Sequence, residues 1–135
     1  MIKLSDLKPG DIVIIMEDGE EKEGIITDVS QMENMVCIDN GVQEFWYPPA
    51  NILSIPLSEE QLFKLGFQRQ DTDQGIKYLR GPFRILLQED GNFSDFEIWY
   101  REDHRRFHMP MTVHELQNHY LEMTKVPLER PDSVS

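Results

Sequence analysis

The sequence predicts an α+β protein in two parts, an all-β first part followed by a helix, an antiparallel meander and a closing helix. Three observations carry this reading. Between residues 12 and 55, short β-branched runs alternate with turn residues at spacings too tight for helices. In the remainder, Ser58 with Gln61 and Thr112 with Glu115 have the spacing of helix-starting capping boxes. Between those boxes, apolar and aromatic runs are again interrupted by glycine turns.

Taken in order, Lys8-Pro9-Gly10-Asp11 forms a turn that launches Ile12-Val13-Ile14-Ile15-Met16, a β-branched strand covered on both faces. Asp18-Gly19 opens a charged hairpin tip, Glu17 to Glu23, before a second strand from Gly24 to Val29. Met35 to Ile38 is the third strand, and Asn40-Gly41 is the strongest hairpin signal in the chain. Gln43 to Tyr47 is the fourth, stopped by Pro48-Pro49, and Ile52 to Ile55 is a short fifth. Five short strands in so few residues predict a small SH3-like five-stranded β-barrel; a five-strand OB-like barrel has the same spacing.

The second part begins with a helix of barely two turns, capped by Ser58, stapled by Leu57 and Leu62, and stopped at Gly66. Strands follow at Phe67–Gln70, Ile76–Arg80, Phe83–Gln88 and Phe93–Arg101. In the last of these, Phe96, Ile98 and Tyr100 share one face while Asp95, Glu97, Trp99 and Arg101 share the other. This stretch reads as an antiparallel meander with one face packed on helices. Thr112 and Glu115 then start the final helix. Val113, Leu116, Tyr120 and Met123 form its apolar stripe, and Pro127 ends it. The division is thus residues 1–56, residues 57–128 and a loose tail, 129–135.

Charge separates the two parts. Residues 1–60 carry 13 acids and 3 bases, a net of -10, within a chain of net charge -12. So acidic a surface repels phosphate, and no direct nucleic-acid contact is expected. One cysteine excludes an internal disulfide framework. The longest apolar run, Ile12 to Met16, is too short to cross a membrane, and the N-terminus has no signal-peptide core, so the expected location is cytoplasmic.

The segment Ile55-Pro56-Leu57-Ser58-Glu59-Glu60-Gln61-Leu62-Phe63-Lys64-Leu65-Gly66-Phe67 resembles a group of small bacterial proteins with an I-P-L-(T/S)-x-E-x-L-x-x-x-G-F motif. That group is frequent in gut-bacterial genomes, often near phage-derived or mobile elements. Its closing helix is similar to Val113-His114-Glu115-Leu116-Gln117-Asn118-His119-Tyr120, and the resemblance runs over residues 43–125. Members commonly end in L-T-G-x-E-L, where this chain has Met123-Thr124-Lys125-Val126-Pro127-Leu128. The resemblance implies a prokaryotic cytoplasmic setting. It implies no activity, cofactor or catalytic residue.

No catalytic constellation is legible. The four histidines lie between His104 and His119, and His104 and His108 are the weak candidates for a metal. In a strand they would share a face about 13 Å apart, too far for one zinc, and His114 and His119 would diverge by about 140° on a helix. Solvated surface histidines are the plainer reading. Cys37, between Val36 and Ile38, reads as a buried thiol rather than a nucleophile. The carboxylates Glu20, Glu21 and Glu23 read as a solvated tip. Arg80, Arg84, Arg101, Arg105 and Arg106 alternate with Glu97, Glu102 and Asp103, the pattern of cross-strand pairing.

The aromatic residues carry more information. Trp46 should face opposite to Phe45 and Tyr47. The plainer role for Trp46 or Tyr47 is packing against the second part; the other is a partner surface. Trp99, placed among charged residues, is a further candidate anchor. The function expected is therefore a non-enzymatic protein-binding or adaptor protein without a cofactor, with Trp46, Tyr47 and Trp99 as contact residues. Two alternatives stand beside it: an acidic mimic that inhibits a nucleic-acid-binding protein, and a metal-dependent enzyme using the region His104 to His119.

Overall fold

The computed structural model describes residues 2–131. They form two antiparallel five-stranded sheets and two α-helices. The chain divides into two compact units. One holds the residues up to Ile55 together with Thr112–Asn118, and the other holds Pro56–Met111 together with His119 onward. The final helix, expected wholly in the second part, therefore contributes its first two turns to the first unit.

In the first unit, β1 (Ile12–Glu17), β2 (Glu20–Ser30), β3 (Met35–Asp39), β4 (Glu44–Tyr47) and β5 (Ile52–Leu53) lie in the order β4-β3-β2-β1-β5. The expected barrel is not closed: β4 and β5 are the two edges of an open sheet. The chain between them explains why. Pro48 and Pro49 have no N–H to offer a ladder, a 3₁₀ turn over Pro49–Asn51 redirects the backbone, and β5 is two residues long. The charged tip is also tighter than expected. Asp18 (φ 54°) and Gly19 (φ 79°) alone make the turn, both in the left-handed region that a type I′ hairpin demands. Glu20, Glu21 and Glu23 are ladder residues opposite Glu17, Met16 and Ile14.

One face of this sheet is the core, with Val13, Ile15, Ile26, Val36, Ile38, Tyr47 and Ile52 packed together with Leu4 and Leu7. Gly24 allows the strands to approach there, because a Cβ at this position would lie 2.6 Å from Ile38 Cγ2 and 2.7 Å from Ile15 Cδ1. The turn before β1 is held by side chains from the start of α2 (Val113–Thr124). Gln117 Oε1 accepts from the Ile12 amide (2.9 Å), and its Nε2 donates to the Gly10 carbonyl (2.9 Å). Lys8 Nζ donates to both Asp11 and Asn118 Oδ1. Thr112 caps the helix as expected: Glu115 Oε1 accepts from the Thr112 amide at 2.9 Å, and the Glu115 amide donates to Thr112 Oγ1 at 3.4 Å.

In the second unit, α1 (Glu59–Lys64) starts at Ser58, whose hydroxyl accepts from the Gln61 amide (3.2 Å). Gln61 Oε1 accepts from Arg130 (3.1 Å). Gly66 (φ 87°) ends the helix as the sequence indicates. The meander has five strands: β6 (Gln68–Thr72), β7 (Gly75–Arg80), β8 (Phe83–Leu87), β9 (Phe96–Tyr100) and β10 (Asp103–Phe107), in the order β10-β9-β8-β7-β6. The segment around Arg105 is thus a strand, and Arg101 (φ 57°) belongs to the turn before it rather than to the face of Trp99. Tyr78, Phe83, Ile85, Leu87, Phe96 and Ile98 point into the core, with Leu62, Leu65 and Phe67. The tail is not loose at its start: Leu128 is buried and the Glu129 carbonyl accepts from Arg80 (3.0 Å). Residues 132–135 lie outside the described residues.

Candidate interaction surfaces

Alternation along the meander places a second set of side chains on the face opposite its core. Phe83, Ile85 and Leu87 turn inward, which leaves Arg84 and Leu86 outward; Glu97 and Trp99 alternate in the same way with Phe96 and Ile98. The register then aligns two rows across the sheet. Leu79, Arg84, Trp99 and His104 form one, and Lys77, Leu86, Glu97 and Arg106 the other. Trp99 stacks on His104 (centroids 4.4 Å apart, planes at 16°), and the Arg84 guanidinium carbon lies 5.5 Å from the indole centroid. Arg84 Nη2 donates to the Arg101 carbonyl (2.7 Å). Beside the indole, Gln74, Lys77, Arg84, Leu86 and Trp99 line an open hollow of about 160 Å³.

The arginines differ in how they are paired. Arg106 reaches Asp95 (3.0 Å) and Glu97 (3.7 Å), and Arg105 reaches Glu122 (3.1 Å) and holds that carboxyl below the usual range. Arg69 binds Glu59, Asp71 and Asp90 together. Arg80 and Arg84 instead donate to backbone carbonyls. Cross-strand pairing accounts for part of the basic concentration, and Arg84 falls outside it.

The aromatic run of β4 separates by position. Tyr47 is 4% exposed in the core of its own unit, with its hydroxyl donating to Glu17 Oε2 (3.2 Å) and accepting from Asn40 (3.1 Å). It therefore presents no contact surface. Phe45 shares its side but lies at the sheet margin, 52% exposed, with its ring 5.3 Å from that of Tyr47. Trp46, opposite the buried Cys37 in register, is 39% exposed on an edge strand.

The histidines are dispersed. His104 stacks on Trp99, His108 Nδ1 lies 3.4 Å from Asp95, and His119 Nδ1 lies 3.0 Å from Arg105 Nη1. His114 is buried, and that burial holds its imidazole below the usual histidine range. Among the described residues no three His, Cys, Asp or Glu side chains are grouped to hold a metal.

Two polar assemblies have no counterpart in the sequence reading. One is the buried Asp11 with Lys8, Asn118 and Gln117 described above; burial, against the pull of Lys8, raises the Asp11 carboxyl to about 6. The other borders a cleft of about 460 Å³ whose lining includes Leu57, Glu59, Tyr78, Asp90, Phe93 and Met111. There the Tyr78 hydroxyl donates to Glu59 Oε1 (2.9 Å), and burial together with that carboxylate pushes Tyr78 up to about 12. The Glu59 and Asp90 carboxylates at this cleft are both bound to Arg69. A hydrophilic residue in an apolar pattern could have flagged Gln117, but nothing in a linear sequence pairs it with residues 10–12.

No family model, curated protein or solved structure matches the chain.

Proposed function

We propose that the protein is a non-enzymatic binding module that docks another protein on the outer face of its second sheet, with Trp99 as the anchor. The observation that carries this reading is an indole held between His104 and Arg84 on the sheet face opposite the core, beside a hollow lined by Leu86 and Lys77. An aromatic ring fixed in orientation loses little freedom on binding, which is why such residues dominate interface energies. Phe45 and Trp46, exposed on opposite sides of the edge strand β4, offer further apolar contacts. The order of the first sheet, with β5 returning to pair with β1, supports an SH3-like strand arrangement for that unit, short of a closed barrel. A bacterial, mobile-element setting in the cytoplasm belongs to the same proposal. Among the described residues no helix is long and apolar enough to cross a membrane.

The test is affinity capture from a nuclease-treated native lysate with wild-type protein, Trp99→Ala and Trp46→Ala, washed at low and high salt. A partner retained at high salt by wild type and Trp46→Ala, and lost with a folded Trp99→Ala, supports the reading. Retention by Trp99→Ala overturns it. The net charge of -10 over residues 1–60 favours a second reading, an acidic mimic of nucleic acid. Its contacts would be largely electrostatic, so its partner would be a nucleic-acid-binding protein released by the high-salt wash.

A further inference from the structure

The hollow beside Trp99 has two features that specify what enters it. The first is size. About 160 Å³ holds roughly five waters at about 30 Å³ each, well below the roughly 300–1,000 Å³ of a pocket for a whole small molecule. It accommodates one short side chain of something larger.

The second feature is charge. Acids outnumber bases 25 to 13 in this chain, and Arg69, Arg105 and Arg106 all have carboxylate partners. Lys77 and Arg84, which line the hollow, have no ion pair among the described residues. A guanidinium has five N–H donors; Arg84 uses one on the Arg101 carbonyl, and its Nε is buried without an acceptor. A buried donor left unpaired is uncommon and costly. Here the guanidinium is held by the Arg101 carbonyl and the Trp99 face, with donors to spare for an anion. Leu86 and the indole supply an apolar wall beside these cations.

Building on the docking reading, we propose that this hollow takes the carboxylate of a Glu or Asp side chain from an acidic peptide segment of the partner protein. Arg84 and Lys77 bind the carboxylate, Gln74 lies at the rim, and apolar neighbours in the peptide lie over Leu86 and Trp99. An ionised acceptor on an arginine makes a bond roughly twice as strong as a neutral one, so the charge of the incoming side chain is the discriminating quantity.

The experiment titrates the full chain, isotope-labelled, with a terminally blocked pentapeptide of alternating glutamate and leucine, and separately with its glutamine counterpart. The Trp99 indole N–H resonance, assigned by its loss in Trp99→Phe, and the amides of Lys77 and Arg84 are followed by NMR. The expected result is movement of these signals with the glutamate peptide at an affinity about tenfold or more above that of the glutamine peptide. The gap should narrow at high salt and in a folded Lys77→Gln/Arg84→Gln variant. Equal binding of the two peptides overturns the carboxylate assignment and leaves the docking face intact. Binding of neither peptide also overturns it, and the capture experiment with Trp99→Ala then decides the docking reading separately. Displacement of the glutamate peptide by a ten-residue oligothymidine at lower concentration would assign the face to single-stranded nucleic acid and overturn the proposal. Should the double variant fail to fold, the wild-type comparison of the two peptides still decides.

Discussion

The two sheets have the same number of strands and are held by different means. In the second unit every neighbouring pair of strands is consecutive in the chain, so four hairpins in series make the whole sheet. In the first, β5 leaves its predecessor and returns to β1, and the turn preceding β1 is fastened by Gln117, more than a hundred residues away in sequence. The treatment of charge differs as well. Arg69, Arg105 and Arg106 of the second unit are paired with named carboxylates, whereas the ladder of the first sets Glu17 opposite Glu20 at its acidic tip. A meander closed by local pairing can leave one face for contacts. A sheet that relies on a distant polar strap spends buried hydrogen bonds on its own integrity.

This contrast can be broken most strongly at the core of the meander. Phe83 is fully buried, with its ring 4.6 Å from Tyr120 and 6.1 Å from Phe67. Phe83→Ala should lower stability by about 3–5 kcal/mol. Denaturation followed by Trp99 fluorescence in a Trp46→Phe background reads this in its own unit. A loss below about 1 kcal/mol would mean that this core is not tightly packed.

The strap of the first unit comes next. Gln117 is 1% exposed and satisfies one backbone N–H and one C=O. Gln117→Ala should cost about 2–4 kcal/mol, since each orphaned group costs roughly 1–3 kcal/mol. Trp46 fluorescence in a Trp99→Phe background reports it, and a neutral outcome would show that the strap is dispensable.

The smallest of the three effects depends on pH. The folded Asp11 carboxyl is raised from 3.8 to about 6, chiefly by burial. A raised acid holds its proton more tightly when folded, so its contribution is fully present below about pH 4 and is lost as pH rises through about 6. At about 1.4 kcal/mol per pKa unit, the stability of wild type relative to Asp11→Asn should fall by about 2–3 kcal/mol between pH 4 and pH 7. Paired melting curves measure it. A rise over that interval would mean that the Lys8 ion pair outweighs burial.

What could be read in advance follows from the range of the interactions. The caps at Ser58 and Thr112, the stop at Gly66 and the turn at Asp18-Gly19 each depend on a few adjacent residues, and each is present. Trp99 could be singled out because strand alternation is also local. Lys77, Leu86 and Gln74 could not be joined to it, because only the register of β7, β8 and β9 brings them to one hollow. Tyr47 could not be separated from Phe45, since both occupy one side of β4 and differ in their distance from the sheet margin.

The sequence by itself determined the α+β class, the helix starts, the stop at Gly66, the five strands of the first part, four of the five strands of the second and the concentration of acid in the first. These rest on backbone preferences and side-chain periodicity, which act over one or two turns of chain. Tertiary structure decided that the first sheet stays open, that the last helix contributes to both units, and that Asp11 and Gln117 are buried while Lys77 and Arg84 converge beside Trp99. Those outcomes depend on which strand edges pair and which polar groups lose water, and both are settled only when distant segments meet.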